Sequence, residues 1–225
     1  MRTYPVKHRQ MVQRYWLLNL RGEAMYFGGW MMIKENWFVL LVRTASEERV
    51  LEKLKEYLTD TCYTPFIPKK EWPHVKGNNV NKEIKICFPG YVFVKTQASV
   101  EDFLQDVQPV IEKIKEAYYF LYYGDDKRDV ALREKERNGI DRLMTDDFLM
   151  DSSRGFMEGD RVKIVSGALM GMENVITKIN ERKRTAIIGM DILGTNRPTT
   201  LMLEVLEKSE EGSQCLGENS KQKWG

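Results

Sequence analysis

The residues whose types could carry out acid–base, nucleophilic or metal chemistry are few and scattered. The chain has two histidines, His8 and His74, and three cysteines, Cys62, Cys87 and Cys215, with no ligand spacing between any of them. An enzyme needs nucleophile, base or metal ligands that converge, and no such set is visible. Asp125-Asp126 and Asp146-Asp147 are adjacent carboxylates in polar segments, where solvated charge is the ordinary role. Gly167-Ala168-Leu169-Met170-Gly171 lacks the Lys and Ser/Thr that a phosphate loop needs for phosphate and magnesium. These residues therefore predict binding, with no catalytic group, metal or cofactor. An odd, unpatterned set of cysteines reads as reduced thiols in a cytoplasmic protein.

Cations supply the first candidate binding groups. The chain carries 35 Lys and Arg against 33 Asp and Glu. Residues 1–30 alone contribute +4, which leaves −2 for the rest. Any contact with nucleic acid must therefore come from local patches. One patch is Lys69, Lys70, Lys76, Lys82 and Lys85 around a hairpin, where solvated charge is the alternative. The other is the turn Arg182-Lys183-Arg184, with Lys163 and Lys178 nearby. Arginines in a tight turn can grip phosphates bidentately.

The second candidate is a bend. Ile86-Cys87-Phe88-Pro89-Gly90-Tyr91-Val92-Phe93-Val94 is an apolar run broken by Pro-Gly. Pro89 cannot donate a ladder hydrogen bond and Gly90 tolerates positive φ, so two β segments meet at a kink flanked by Phe88 and Tyr91. Either the rings face a partner, or the kink is a bulge at a sheet edge with both rings in the core.

The elements that must position these groups follow from periodicity. Trp37 to Val42 is apolar on both alternating sets, as in a central strand covered on both faces. Thr44-Ala45-Ser46-Glu47 has the spacing of a capping box, ahead of Val50, Leu51, Leu54, Tyr57 and Leu58 at helical spacing. Phe66 to Phe88 reads as two strands about Gly77-Asn78-Asn79. A strand from Gly90 to Lys95 follows. Ser99 caps a second helix interrupted near Pro109, and Tyr118 to Tyr123 is another strand. This order predicts an α+β fold, an antiparallel sheet with packed helices. Residues 125–155 are a polar linker, with a helix around Val130 to Leu143 and a flexible stretch from Asp151 to Gly155. Evenly spaced strands in residues 156–208 predict a small β-barrel, and the polar tail 209–225 is expected to be disordered. No apolar run reaches the length of a membrane span. Gly28-Gly29-Trp30 would be encoded by a purine-rich stretch just ahead of Met31 and Met32. The native start is expected there; the alternative is a flexible basic prefix, 1–31.

Phe88-Pro89-Gly90-Tyr91-Val92, the strand opened by Trp37-Phe38-Val39-Leu40-Leu41-Val42, and Gly159-Asp160-Arg161-Val162-Lys163-Ile164 through Leu201-Met202-Leu203-Glu204-Val205 together resemble the NusG family of transcription factors. Tyr122-Tyr123-Gly124-Asp125 and residues 183–188 resemble its LoaP-type antiterminator branch. The resemblance implies a polymerase-binding N-terminal domain (32–124) and an SH3-like KOW domain (156–208). It maps Phe88, Pro89, Gly90 and Tyr91 onto a polymerase-binding depression. Leu169, Met172, Ile192 and Leu193 map onto apolar positions that bind a ribosomal protein or termination factor, with barrel core as the alternative role. Ala45 and Asn174 stand where the family has glycine; Asn174 is expected to take the left-handed region. The implied protein is a monomeric, cytoplasmic elongation and antitermination factor that rides on RNA polymerase and is recruited by a leader RNA hairpin. A ribosome-associated RNA-binding protein using the barrel is the alternative.

Overall fold

The computed structural model describes residues 35–58, 62–76, 79–159 and 161–206, with backbone alone for residues 75, 76, 79 and 80. The expected start at Met31 or Met32, the basic prefix, the turn residues Gly77 and Asn78, Cys215 and the polar tail lie outside them. All described residues belong to one compact unit. Among them, no helix is long and apolar enough to cross a membrane.

Asn36–Val42 (β1) is the central strand its doubly apolar pattern predicts. Tyr63–Phe66 (β2), Tyr91–Thr96 (β5) and Ala117–Phe120 (β6) complete an antiparallel sheet in the order β2-β5-β1-β6. Successive side chains of a strand point to opposite faces, so β1 feeds two cores. Phe38, Leu40 and Val42, with Val92 and Val94 of β5, lie under the helices Glu47–Tyr57 (α1) and Val100–Ile111 (α2). The Phe38 ring stacks on Phe103 of α2 at a centroid distance of 3.6 Å. Trp37 and Val39 point the other way, toward Phe66 and Phe93, and share one buried cluster with Ile140 of Glu134–Asp141 (α3), with Met150 and with the barrel interior.

The barrel comprises Ser153–Glu158 (β8), Arg161–Ser166 (β9), Ile176–Asn180 (β10), Thr185–Ile192 (β11) and Thr195–Leu206 (β12), in the order β10-β11-β12-β8-β9. A third, small sheet joins the hairpin Lys69–Lys76 (β3) and Asn79–Ile86 (β4) to Leu149–Met150 (β7), which runs parallel to β3. The fold is α+β, a helix-covered antiparallel sheet followed by a small barrel.

Several local expectations change. The capping box fails: Ser46 is the N-cap without a side-chain cap bond, and its hydroxyl accepts Arg43 Nε at 3.1 Å. Glu47 turns inward instead. Pro109 does not interrupt α2; it sits on the exposed side of the helix, where water can take the carbonyl it leaves without a partner. The Tyr118 to Tyr123 strand is only Ala117–Phe120, and the helix of the polar segment is confined to Glu134–Asp141. Residues 151–155 are not a flexible linker throughout, because β8 begins at Ser153. That side chain is fully buried and its hydroxyl accepts the Leu169 N–H at 2.9 Å. Gly167, at φ +91°, packs so closely there that a Cβ would fall 2.2 Å from the Ser152 carbonyl oxygen. Asn174 lies in a single 3-10 turn, Glu173–Val175, not in the left-handed region, so no glycine is needed at that position.

Candidate functional site

The Pro-Gly bend is a tight turn. Tyr91 N–H donates to the Phe88 carbonyl at 3.2 Å, with Pro89 second and Gly90 third at φ +86°, the geometry of a type II turn. Two further bonds anchor it. Gly90 N–H donates to Glu47 Oε1 at 2.6 Å, and the Gly90 carbonyl accepts Val42 N–H at 2.8 Å. Glu47 is only 2% exposed, so α1 and the turn are held together by a buried carboxylate. The two rings part company. Phe88 is buried against Phe93, the core reading of the bend, whereas Tyr91 is half-buried and Pro89 exposed. The Arg197 guanidinium of β12 lies 5.7 Å from the Tyr91 ring centre, so the barrel reaches over this face.

The four apolar barrel positions are all buried. Leu169 and Met172 lie in the loop between β9 and β10, and Ile192 and Leu193 at the tip of the β11–β12 hairpin. That tip docks on α3. Glu136 Oε1 accepts Gly194 N–H at 2.8 Å, while its Oε2 accepts Arg133 N–H at 3.0 Å and the Tyr123 hydroxyl. Burial, and then the hydrogen bond to Glu136, push the Tyr123 phenol well above its ordinary range.

The basic groups divide. On the hairpin, Lys69 pairs with Glu48 at 2.8 Å, Lys82 with Glu71 at 2.7 Å and Lys85 with Glu83 at 2.6 Å. Lys70 Nζ donates to the Thr200 carbonyl of β12 at 2.8 Å, and burial lowers its pKa. The predicted triplet is split by backbone geometry. Arg184, at φ +52°, folds back to pair with Glu204 at 2.8 Å, leaving Arg182 and Lys183 exposed. Lys163 is on β9, at the far end of the strand order from β10, with its ammonium 5.9 Å from the Phe156 ring centre. Lys178, Arg182 and Lys183 instead share a groove of about 890 Å³ with Asn180, Thr185, Ile187 and Thr200 of the barrel and with Trp72 and Pro73 of the hairpin. The sequence reading passed over Trp72, Glu136 and Arg197. Only Trp72 carried a local signal, an aromatic ring inside the basic run Lys69-Lys70-Glu71-Trp72-Pro73-His74. Among the described residues, no cluster of His, Cys, Asp and Glu could hold a metal ion.

The family model described as "Transcription termination factor nusG" matches residues 35–141, the segment that holds the four-stranded sheet, its two helices and α3. Over residues 35–141 the chain is similar to the NusG family. Relatives extend the likeness into the barrel. "Transcription termination/antitermination protein NusG" of Escherichia coli (strain K12) is 21% identical over 182 residues, covering 78% of this chain and 97% of the relative. The protein of that description from Thermus thermophilus is 25% identical over 174 residues, 73% of this chain and 94% of the relative. The one from Streptococcus pyogenes serotype M3 is 28% identical over 163 residues, 69% and 87%. A solved structure described as "Domain interaction in Thermotoga maritima NusG" is similar at 20% identity and a TM-score of 0.42, over 76% of this chain and 94% of that one.

Proposed function

We propose that this chain is a transcription elongation and antitermination factor of the NusG family. It binds RNA polymerase through the turn face of Pro89 and Tyr91, with Phe88 and Gly90 as the buried frame beneath it, and suppresses pausing or termination, acting in the cytoplasm without catalysis of its own. The observation that carries this reading is a buried frame that presents a partly open surface. Glu47, Val42 and Phe93 hold the turn rigid, while Pro89 is exposed and Tyr91 half-covered. A rigid aromatic anchor at such a position is what concentrates binding energy at protein interfaces. The relatives described as termination/antitermination proteins, matched along most of both chains, support the same reading.

In the closed arrangement the barrel overlaps this face through Arg197, and Glu136 holds the barrel tip with Ile192 and Leu193 buried. Polymerase binding at Tyr91 is therefore coupled to release of the barrel. The same release exposes Ile192 and Leu193 to a ribosomal protein or termination factor. Recruitment by a leader RNA, as in the LoaP-type branch, falls to the basic groove, which takes an unpaired stretch such as a hairpin loop. Co-purification of the tagged chain with RNA polymerase tests the proposal; recovery with ribosomes and without polymerase would replace it with the ribosome-associated reading.

A further inference from the structure

We infer that the groove between the β3–β4 hairpin and the barrel is a binding site for single-stranded nucleic acid, built jointly by the two domains. The inference deepens the recruitment step proposed above and rests on that reading for its biological role, though not for its chemistry.

Among the described residues, the groove is lined by three cations, Lys178, Arg182 and Lys183, and by no carboxylate. None of the three forms an ion pair with another described residue; on the neighbouring strands Glu204 is shared by Arg154 and Arg184. Charge left unneutralised along one wall suits a chain of phosphates, whose bound counterions are released on contact. Trp72, with Pro73, lines the facing wall. The ammonium groups of Lys70 and Lys85 stand 5.1 and 5.3 Å from the Trp72 ring centre, yet neither lysine lines the groove. An indole held in place opposite a cationic strand edge is a platform for an unstacked base. A duplex keeps its bases stacked internally and cannot use the platform, so the site selects single strands. The two walls belong to different domains, joined by the Lys70–Thr200 bond and by Ser152 N–H donating to Glu71 at 2.7 Å. The site therefore exists only while the barrel is docked.

The experiment is fluorescence anisotropy with the full chain and labelled oligonucleotides of roughly 10 nucleotides: single-stranded RNA, single-stranded DNA of the same sequence, and an RNA duplex, each across a range of salt. Single strands should bind more tightly than the duplex, with a salt slope near two for three cations (about 0.7 per phosphate). Preference for RNA over DNA would assign the source to transcripts, and equal binding would assign it to either polymer; both support the site. Trp72→Ala should weaken single-strand binding about tenfold, and Trp72→Phe should restore most of it. If Trp72→Ala fails to fold by circular dichroism, the exposed pair Arg182→Ala/Lys183→Ala decides, with an expected fall in the salt slope of about 1.4. Equal affinity for duplex and single strand, or no effect of either set of substitutions, would overturn the inference. Parallel titration with RNA polymerase separates the two readings: loss of single-strand binding in the Arg182/Lys183 variant with polymerase binding retained supports the groove. A wild-type chain that binds single strands but no polymerase would sink the function proposed above and leave the groove standing.

Discussion

Glu136 accepts the backbone N–H of Gly194 at 2.8 Å, tying α3 of the first domain to the hairpin tip of the barrel. The same carboxylate takes the Tyr123 hydroxyl and the Arg133 N–H, so one side chain organises the domain contact and the helix start together.

Glu136→Ala should loosen that contact. Removing the acceptor leaves the Gly194 N–H and the Tyr123 hydroxyl to find water, while the Arg133 N–H keeps the Tyr123 oxygen at 3.0 Å; each lost partner costs about 1–3 kcal/mol where the donor is buried and less where it is exposed. Chemical denaturation should show the loss, and hydrogen exchange should speed up at Gly194. Under the proposed coupling, affinity for RNA polymerase should rise several-fold. An unchanged exchange rate at Gly194 would show that the tip is held by packing alone.

What was legible in the sequence was mainly what is local. The central strand at Trp37 to Val42 follows from an apolar pattern on both faces, and Ser99 does cap α2, its hydroxyl accepting Asp102 N–H at 3.1 Å. What was not legible depends on residues far apart in the chain. Glu47 looked like a capping carboxylate, but a buried N–H at Gly90 is a stronger claim on it than a solvated helix end. Residues 151–155 have the composition of a linker, yet Ser153 is an internal acceptor for the Leu169 amide. Arg182-Lys183-Arg184 read as one cationic turn, and only the left-handed backbone at Arg184 sends its side chain to Glu204.

Ala45 sits at φ +64°, where a Cβ is strained. Ala45→Gly should relieve about 1–2 kcal/mol of strain against a chain-entropy penalty of roughly 0.5–1 kcal/mol. The expected net result is a modest rise in unfolding free energy, read from the denaturation midpoint. A destabilised variant would contradict the backbone geometry of this turn.

Cys87 should be chemically silent. Its thiol is buried beside Met150, and burial pushes its pKa up to about 12. In a Cys62→Ser/Cys215→Ser chain, a thiol reagent at mildly alkaline pH should label Cys87 only after denaturant is added. Rapid labelling of the native chain would mean that this core opens.

Acid should weaken the first domain through Glu116. Its carboxylate is held below the usual carboxylate value of 4.5 by hydrogen bonds to Lys53 and Arg49. A group depressed in the folded state stabilises fully above its unfolded pKa and loses that contribution as pH falls through the folded value. Unfolding free energy should therefore decline as the pH drops below about 4.5. Glu116→Gln should be less stable at neutral pH and show a flatter acid limb. Identical acid limbs for the two chains would remove Glu116 from the account.

Equilibrium binding of the full chain to purified core RNA polymerase, compared with that of Tyr91→Ala, tests the proposed function most directly. The half-buried ring can be removed while Glu47 and Phe93 still hold the turn, so circular dichroism should be unchanged. Loss of an aromatic anchor should weaken binding by on the order of 2 kcal/mol. A folded Tyr91→Ala chain that binds the polymerase as tightly as the wild type would contradict the assignment of this face.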